Sequence, residues 1–306
     1  LENALNDRLC KEDGRTERPL SRLLPKGEAY LRGAEVPQDK FSRPRKKPIV
    51  RTDPRYEGYL SDIDTWIQCP ALYAYKSIFN LYPPADVGFN PQICGMMLHR
   101  LWQRAWEKRS AHENINLLRC VEELWEETVK STYPQLLDNE RMRRHYDRLY
   151  GQARRMAVVQ EEILKNLKGV FILSKSEVTL TPLNIDKVSF AGRADRIDHI
   201  EGNGQIIWDY KTGSSNSYEN ALQLAAYALA LMKEGKHVAA SLYLCHENST
   251  CIGHGSSASK DFVRKLVPKD YAGNFKIKRE HLDEAANRAE GHLIEWAKDL
   301  SSGSFE

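Results

Sequence analysis

The sequence predicts an α/β fold, a central mixed sheet flanked by helices, and three observations carry that expectation. Gly192 to Tyr227 reads as a hairpin followed by a helix. Val238 to Cys245 (Val-Ala-Ala-Ser-Leu-Tyr-Leu-Cys) comes next as a buried strand, completing a strand–helix–strand crossover. Helical periodicity governs 114–167 and 281–300.

Within the hairpin, Ala194 to Ile200 alternates loosely and Gly202-Asn203-Gly204 supplies a turn that tolerates positive φ. Gln205 to Tyr210 is the second apolar run. Antiparallel pairing across the turn brings Asp195 near Asp209 and Lys211, and the latter two, being two apart, share a face. Two carboxylates and an ammonium on one sheet face are costly unless they bind something. Their oxygens suit a hard divalent cation such as Mg²⁺. Carboxylates holding a metal beside a lysine match phosphodiester hydrolysis, in which the lysine orients water or offsets developing charge. The plainer reading is a surface ion pair worth about 0–1 kcal/mol. Asp-x-Lys alone is common. The full order is far more specific: Gly-x-x-Asp-Arg-Ile-Asp, turn, apolar run, Asp-Tyr-Lys-Thr-Gly, then Gln223-x-x-x-Tyr227.

At these residues the chain resembles the RecB-type branch of the PD-(D/E)XK nucleases. That branch includes the nuclease domains of AddAB/RecBCD helicase–nucleases and the Cas4 proteins. The resemblance runs from about Leu60 to Phe305 and is strongest over Gly192–Tyr227. It implies a restriction-endonuclease-like PD-(D/E)XK core, metal ligation by Asp195 and Asp209 with the Tyr210 carbonyl, and Lys211 as catalytic lysine. Gln223 and Tyr227 match a helix associated with DNA binding. A Gly-x-x-x-His pattern, here Gly95 to His99, implies a further metal ligand; Gly95 would let its helix approach the sheet closely. Glu177 matches a glutamate often found before the hairpin, as a group supporting the site or as ordinary strand polarity. Arg196 joins Gln223, Tyr227 and Glu177 as a DNA-binding or site-supporting candidate.

With 306 residues, 41% hydrophobic and 28% charged, the chain has a normal globular composition and length enough for a sizeable core. No apolar run reaches the roughly 20 residues that span a bilayer, and Leu1-Glu2-Asn3 does not open a signal peptide. The missing initiating Met suggests an excised domain or processed chain. Net charge is +3 and pI about 8.4, so a nucleic-acid surface must come from local clustering. Cys10, Cys69, Cys94, Cys120, Cys245 and Cys251 lie scattered, which fits reduced thiols in the cytoplasm.

Residues 1–59 read as a polar, proline-broken arm or linker, with Arg43-Pro44-Arg45-Lys46-Lys47-Pro48 as a basic tract, and 60–306 as the nuclease domain. Ser61-Asp62-Ile63-Asp64 starts a helix. Cys69-Pro70 resembles the Cys-Pro that opens an iron–sulfur cluster in AddB and Cas4 proteins. The chain stops at Glu306, where the other ligands would begin, so no complete cluster is expected and Cys69 reads as a vestigial ligand or a buried thiol. Pro83-Pro84 and Gly88 mark a loop. A helical insertion covers about 112–168. Leu117, Leu118, Val121, Leu124 and Trp125 form one stripe; Arg141, Arg143, Arg144, Arg148, Arg154 and Arg155 make its second helix basic, as a solvated face or a phosphate surface. Val170 to Leu180 is a strand, Ser249 to Ser259 a small polar loop, and His281 to Leu300 a core-packing helix.

No Gly-x-x-x-x-Gly-Lys-Ser/Thr loop occurs, so the chain carries no ATPase motor of that type. The leading expectation is an Mg²⁺- or Mn²⁺-dependent deoxyribonuclease. By resemblance it is the exonuclease domain of a recombination or repair helicase–nuclease, with DNA and a helicase subunit or fused helicase-like domain as partners. Two alternatives remain: a non-catalytic DNA-end-binding or scaffolding module of the same fold, and a Cas4-like nuclease.

Overall fold

Seven strands form one sheet in the structure, a computed structural model that describes residues 56–81, 88–111, 115–138 and 140–305. They are β1 (Tyr56–Tyr59), β2 (Phe171–Ile185), β3 (Val188–Ile200), β4 (Gly204–Lys211), β5 (Val238–Cys245), β6 (Thr250–Gly255) and β7 (Phe275–Ile277). The main helices are α1 (Ile63–Gln68), α2 (Pro91–Ala111), α3 (Leu117–Thr132), α4 (Arg143–Asn166), α5 (Gln223–Lys233), α6 (Lys260–Leu266) and α7 (Leu282–Ser302). The strand order is β1-β3-β4-β5-β6-β7, with β2 antiparallel to β3. The architecture is thus the mixed sheet with flanking helices that the sequence predicts.

The hairpin turn places Gly202 at φ +69° and Gly204 at φ +81°, which a side chain would resist. β4 and β5 are parallel because α5 carries the chain back between them. β3 and β4 pair only from Arg196↔Trp208 to Ile200↔Gly204. β1 occupies Val188–Ala191 at the start of β3. Gly192 to Asp195 therefore lie in a fork where β3 has parted from β4 and left β1.

Strand alternation sends neighbouring side chains into two cores. Ile206, Trp208 and Tyr210 pack with Trp102 and Trp106 of α2, Trp125 of α3 and Met156 of α4. Ile197 and Ile207 face the opposite core, with Ala226 and Leu229 of α5 and Trp296 of α7. Asp209 and Lys211 share the parity of Ile207, so both turn toward the α5 layer.

Several expectations change. The small polar stretch Ser249 to Ser259 contains β6, every residue of which is buried. A Cβ on Gly253 would lie 2.1 Å from the Ser241 carbonyl oxygen, so its glycine reflects crowding rather than a loop. β2 continues past Leu180 to Ile185. Ser61 does not cap a helix; a 3-10 turn, Leu60–Asp62, precedes α1 without a side-chain cap. A Cβ on Gly95 would meet nothing within 4 Å, which removes close helix–sheet approach as its reason. Tyr56–Tyr59, the end of the expected arm, pair with β3 as β1. The Arg43–Pro48 tract, Cys10 and Pro83-Pro84 lie outside the described residues. Two arginines of the basic α4 are paired, Arg143 with Asp147 and Arg154 with Glu122. Among the described residues no helix is long and apolar enough to cross a membrane.

The two glycines should respond oppositely to alanine. Gly253→Ala overpacks a buried strand against backbone and should cost about 1–3 kcal/mol. Gly95→Ala, inside a helix with open space beside it, should stabilise by about 0.4–1 kcal/mol. Urea unfolding of the two variants checks both signs.

Candidate active site

The fork gathers the residues that the hairpin motif singles out. Asp195 sits at its mouth, where its Oδ2 accepts a hydrogen bond from the Tyr210 backbone N–H at 2.7 Å. Its other oxygen lies 3.2 Å from His99 Nδ1, delivered by α2 from the opposite core. One strand over, Asp209 is almost fully buried. Its Oδ2 is 2.9 Å from Lys211 Nζ, and its Oδ1 accepts from Gln223 Nε2 at 3.2 Å. Gln223 Oε1 accepts from Lys211 Nζ at 3.0 Å. An ammonium only donates, so this contact fixes which end of the amide faces Lys211. Gln223 Nε2 is also 2.9 Å from Tyr227 OH. A Cβ on Gly192 would lie 3.0 Å from Leu60 and 3.3 Å from both Leu180 and the Tyr227 ring, so the motif glycine makes room for all three side chains.

Glu177 stands closer to the centre than its expected supporting place. Its carboxylate, His99 and Asp195 offer donor atoms that all lie within 4.8 Å of one another. Its backbone holds φ +51° inside β2, a left-handed conformation costing a non-glycine residue about 1–3 kcal/mol. Arg193 Nε lies 3.0 Å from its Oε2. Asp209, expected as a ligand beside Asp195, meets Lys211 and Gln223 and is not among those three donors. Tyr210 reaches the centre through its backbone N–H, while its ring points into the other core.

Arg196 and Tyr227 are buried, so neither offers its side chain to DNA at the surface. The Arg196 guanidinium lies 4.1 Å from the Trp106 ring and 4.7 Å from the Trp208 ring, and it pairs with Asp198 at 3.1 Å. It also donates to Tyr210 OH at 2.7 Å and to Gln160. This cluster fixes Tyr210, and with it the peptide N–H that holds Asp195.

Asp64, expected in the first turn of its own helix, acts on another one. It accepts from the backbone N–H of Leu222 at 2.7 Å and of Gln223 at 3.3 Å, capping α5 from across the fold. The two partners are 158 residues apart, and no local pattern announces such a contact. Cys69 lies elsewhere, its Sγ accepting from the Leu72 N–H.

Burial drives the electrostatics here. Desolvation pushes the Asp209 carboxyl up to about 6, against the opposing pull of Lys211, and the charge on Asp195 adds to the rise. Burial likewise raises Glu177, with Arg193 opposing and Asp195 reinforcing. For Lys211, burial disfavours the cation, yet Asp209 and Asp195 outweigh it and the ammonium stays above its ordinary value. For His99, burial is again outweighed, by the hydrogen bond to Asp195 and the charges of Asp195 and Asp209. The site is thus an anionic pocket that holds its cations tightly.

Residues 60–305 match the model of the PD-(D/E)XK nuclease superfamily. The chain belongs to that superfamily. Over 256 residues it is 27% identical to an uncharacterized protein of Rickettsia conorii, covering 77% of this chain but only 30% of that relative's length. Among solved structures, protein SSO0001 is 19% identical, covering 65% of this chain and 86% of its own, with a TM-score of 0.22. Protein VC1899 from Vibrio cholerae is 14% identical, covering 78% and 57%, with a TM-score of 0.24.

As in a metal-dependent member of this superfamily, the donor set fits a divalent cation. One imidazole and two carboxylates converge, a donor set able to hold a divalent cation. Protons compete with a metal for Glu177 and His99, whose values are both raised. Mn²⁺ should therefore raise the thermal midpoint much more at about pH 7.5 than at about pH 5, where protons compete for the ligands. Equal shifts at both pH values, measured by calorimetry, would contradict this ligand set.

Proposed function

We propose that the chain is an Mg²⁺- or Mn²⁺-dependent deoxyribonuclease that hydrolyses phosphodiester bonds, the exonuclease part of a DNA recombination or repair helicase–nuclease. The observation that carries the hydrolytic reading is the meeting of His99, Glu177 and Asp195 with the Asp209–Lys211 pair in one fork of the sheet. Structural packing gives no reason to gather three carboxylates, an imidazole and an ammonium where strands part. DNA as substrate and the helicase setting rest on the likeness to the nuclease domains of such enzymes. The chain spans 30% of its Rickettsia relative, so the activity of a whole protein of that kind belongs to this proposal.

In this reading His99, Glu177 and Asp195 hold the metal, with Asp209 and the Tyr210 carbonyl closing the set. When bound, the cation supplies Lewis acidity toward the phosphoryl oxygen and an acidified water. The protein's own groups do the rest. Lys211 is held as a cation, so it acts through its charge: it faces the phosphate oxygens and offsets negative charge as water adds. Asp209 and Gln223 fix the ammonium from two sides, so little reorganisation accompanies the reaction. Tyr227 anchors the Gln223 amide. Asp64 anchors the turn from which that glutamine projects.

Lys211→Ala should keep the wild-type circular dichroism spectrum and lose cleavage, by about 10²–10³-fold if the ammonium acts like other transition-state donors. A folded variant cleaving at the wild-type rate would remove Lys211 from the mechanism. His99→Ala should need much more Mn²⁺ for activity while binding DNA without metal about as well as wild type, because phosphate contacts carry that binding. Superimposable metal titrations would make His99 a bystander. Exonuclease action predicts loss of end-labelled linear DNA while covalently closed circles survive.

A further inference from the structure

We propose that His246 is a positioning residue that ties the backbone of Lys211 to the helix carrying His99. The inference rests on the nuclease reading above and adds a residue that no motif marks.

His246 directly follows β5, whose last residue, Cys245, is in register with Lys211. It is fully buried. An indole N–H only donates, so Trp102 Nε1, at 2.5 Å, gives its hydrogen to a lone pair on His246 Nε2. The ring proton then sits on Nδ1, which donates to the Lys211 carbonyl oxygen at 3.0 Å. The His246 backbone N–H donates to that same oxygen at 2.8 Å. One residue thus occupies both lone pairs of the carbonyl that ends β4.

The other end of the chain of bonds is α2. Trp102 lies three residues after His99, about one turn along the same helix. Its indole stacks on the Tyr210 ring at 5.3 Å and 11°. His99 meets that ring edge-on at 6.3 Å. Strand and helix come from opposite sides of the fork, and the contact through Trp102 and His246 sets the distance between their functional groups. Burial lowers the imidazole to about 4, against the Lys211 carbonyl that favours its charge, so Nε2 keeps its lone pair at neutral pH.

A histidine that only filled space would affect stability and leave the chemical step alone; a positioning histidine affects both. The test uses the full chain, end-labelled linear DNA and Mn²⁺, and reads the single-turnover rate constant at saturating DNA well below each variant's thermal midpoint. His246→Ala should lower that rate about 10–100-fold, the range for removing a group that orients a metal-site residue, with DNA affinity in the absence of metal unchanged. His246→Asn, whose amide can still donate to the Lys211 carbonyl, should recover part of the rate. Trp102→Phe, which keeps a ring on Tyr210 and removes the donor, should also slow the step. Combined with His246→Ala it should add little, because the two act through one contact. Val129→Ala, a cavity in the buried face of α3, controls for lost stability and should leave the rate at the wild-type value. Should His246→Ala cleave like wild type, or slow only as much as Val129→Ala, the inference fails while the nuclease reading stands. If wild type and Lys211→Ala are alike inactive, the nuclease reading fails and the inference with it.

Discussion

Everything in the site depends on the parting of β3 from β4 beyond the Arg196↔Trp208 pair. Up to that point the two strands share backbone hydrogen bonds and their side chains serve two apolar cores. Past it, the freed Tyr210 N–H finds the Asp195 carboxylate instead of a strand partner. Buried backbone donors need partners, and here that need fixes an acidic side chain in place. The same gap lets a histidine from α2 reach a carboxylate on the opposite side of the sheet.

What keeps the fork open is polar chemistry sealed beneath it. Arg196, sandwiched between Trp106 and Trp208, is ion-paired with Asp198 and hydrogen-bonded to Tyr210 and Gln160. Removing one member of a buried ion pair costs about 3–5 kcal/mol, because the partner charge stays behind without water. Tyr210 is therefore firmly held, and its backbone positions Asp195 on one side while its ring supports α2 on the other. Above the sheet, Asp64 and Gln223 do the same for the Asp209–Lys211 pair. The acidic centre is thus supported by two separate polar networks, one on each face.

Much of this was legible in the sequence, and the limits are physical. The hairpin, its turn, the crossover helix and the shared face of Asp209 and Lys211 follow from short-range geometry, which a linear sequence displays. His99 was reached through a family pattern and not through its contacts. Asp64 was given to its own helix because its partners lie far along the chain. Glu177 is legible only as a supporting group or strand polarity, since the positive φ of its backbone leaves no trace in residue type. β6 was taken for a loop because the Ser241 carbonyl excludes a side chain at Gly253, and small residues suggest turns. For Arg196 the sequence leaves DNA contact and support of the site both open; the surrounding tryptophans place it inside, as a support.

The three donors that converge in the fork fit a divalent cation. Anomalous diffraction from crystals soaked in Mn²⁺ reports such an ion itself and not its effects. A peak is expected bonded to Asp195, with His99 and Glu177 in its coordination shell and Asp209 beside it. A strong peak elsewhere with this fork vacant, or no peak at Mn²⁺ concentrations that support cleavage, would contradict it.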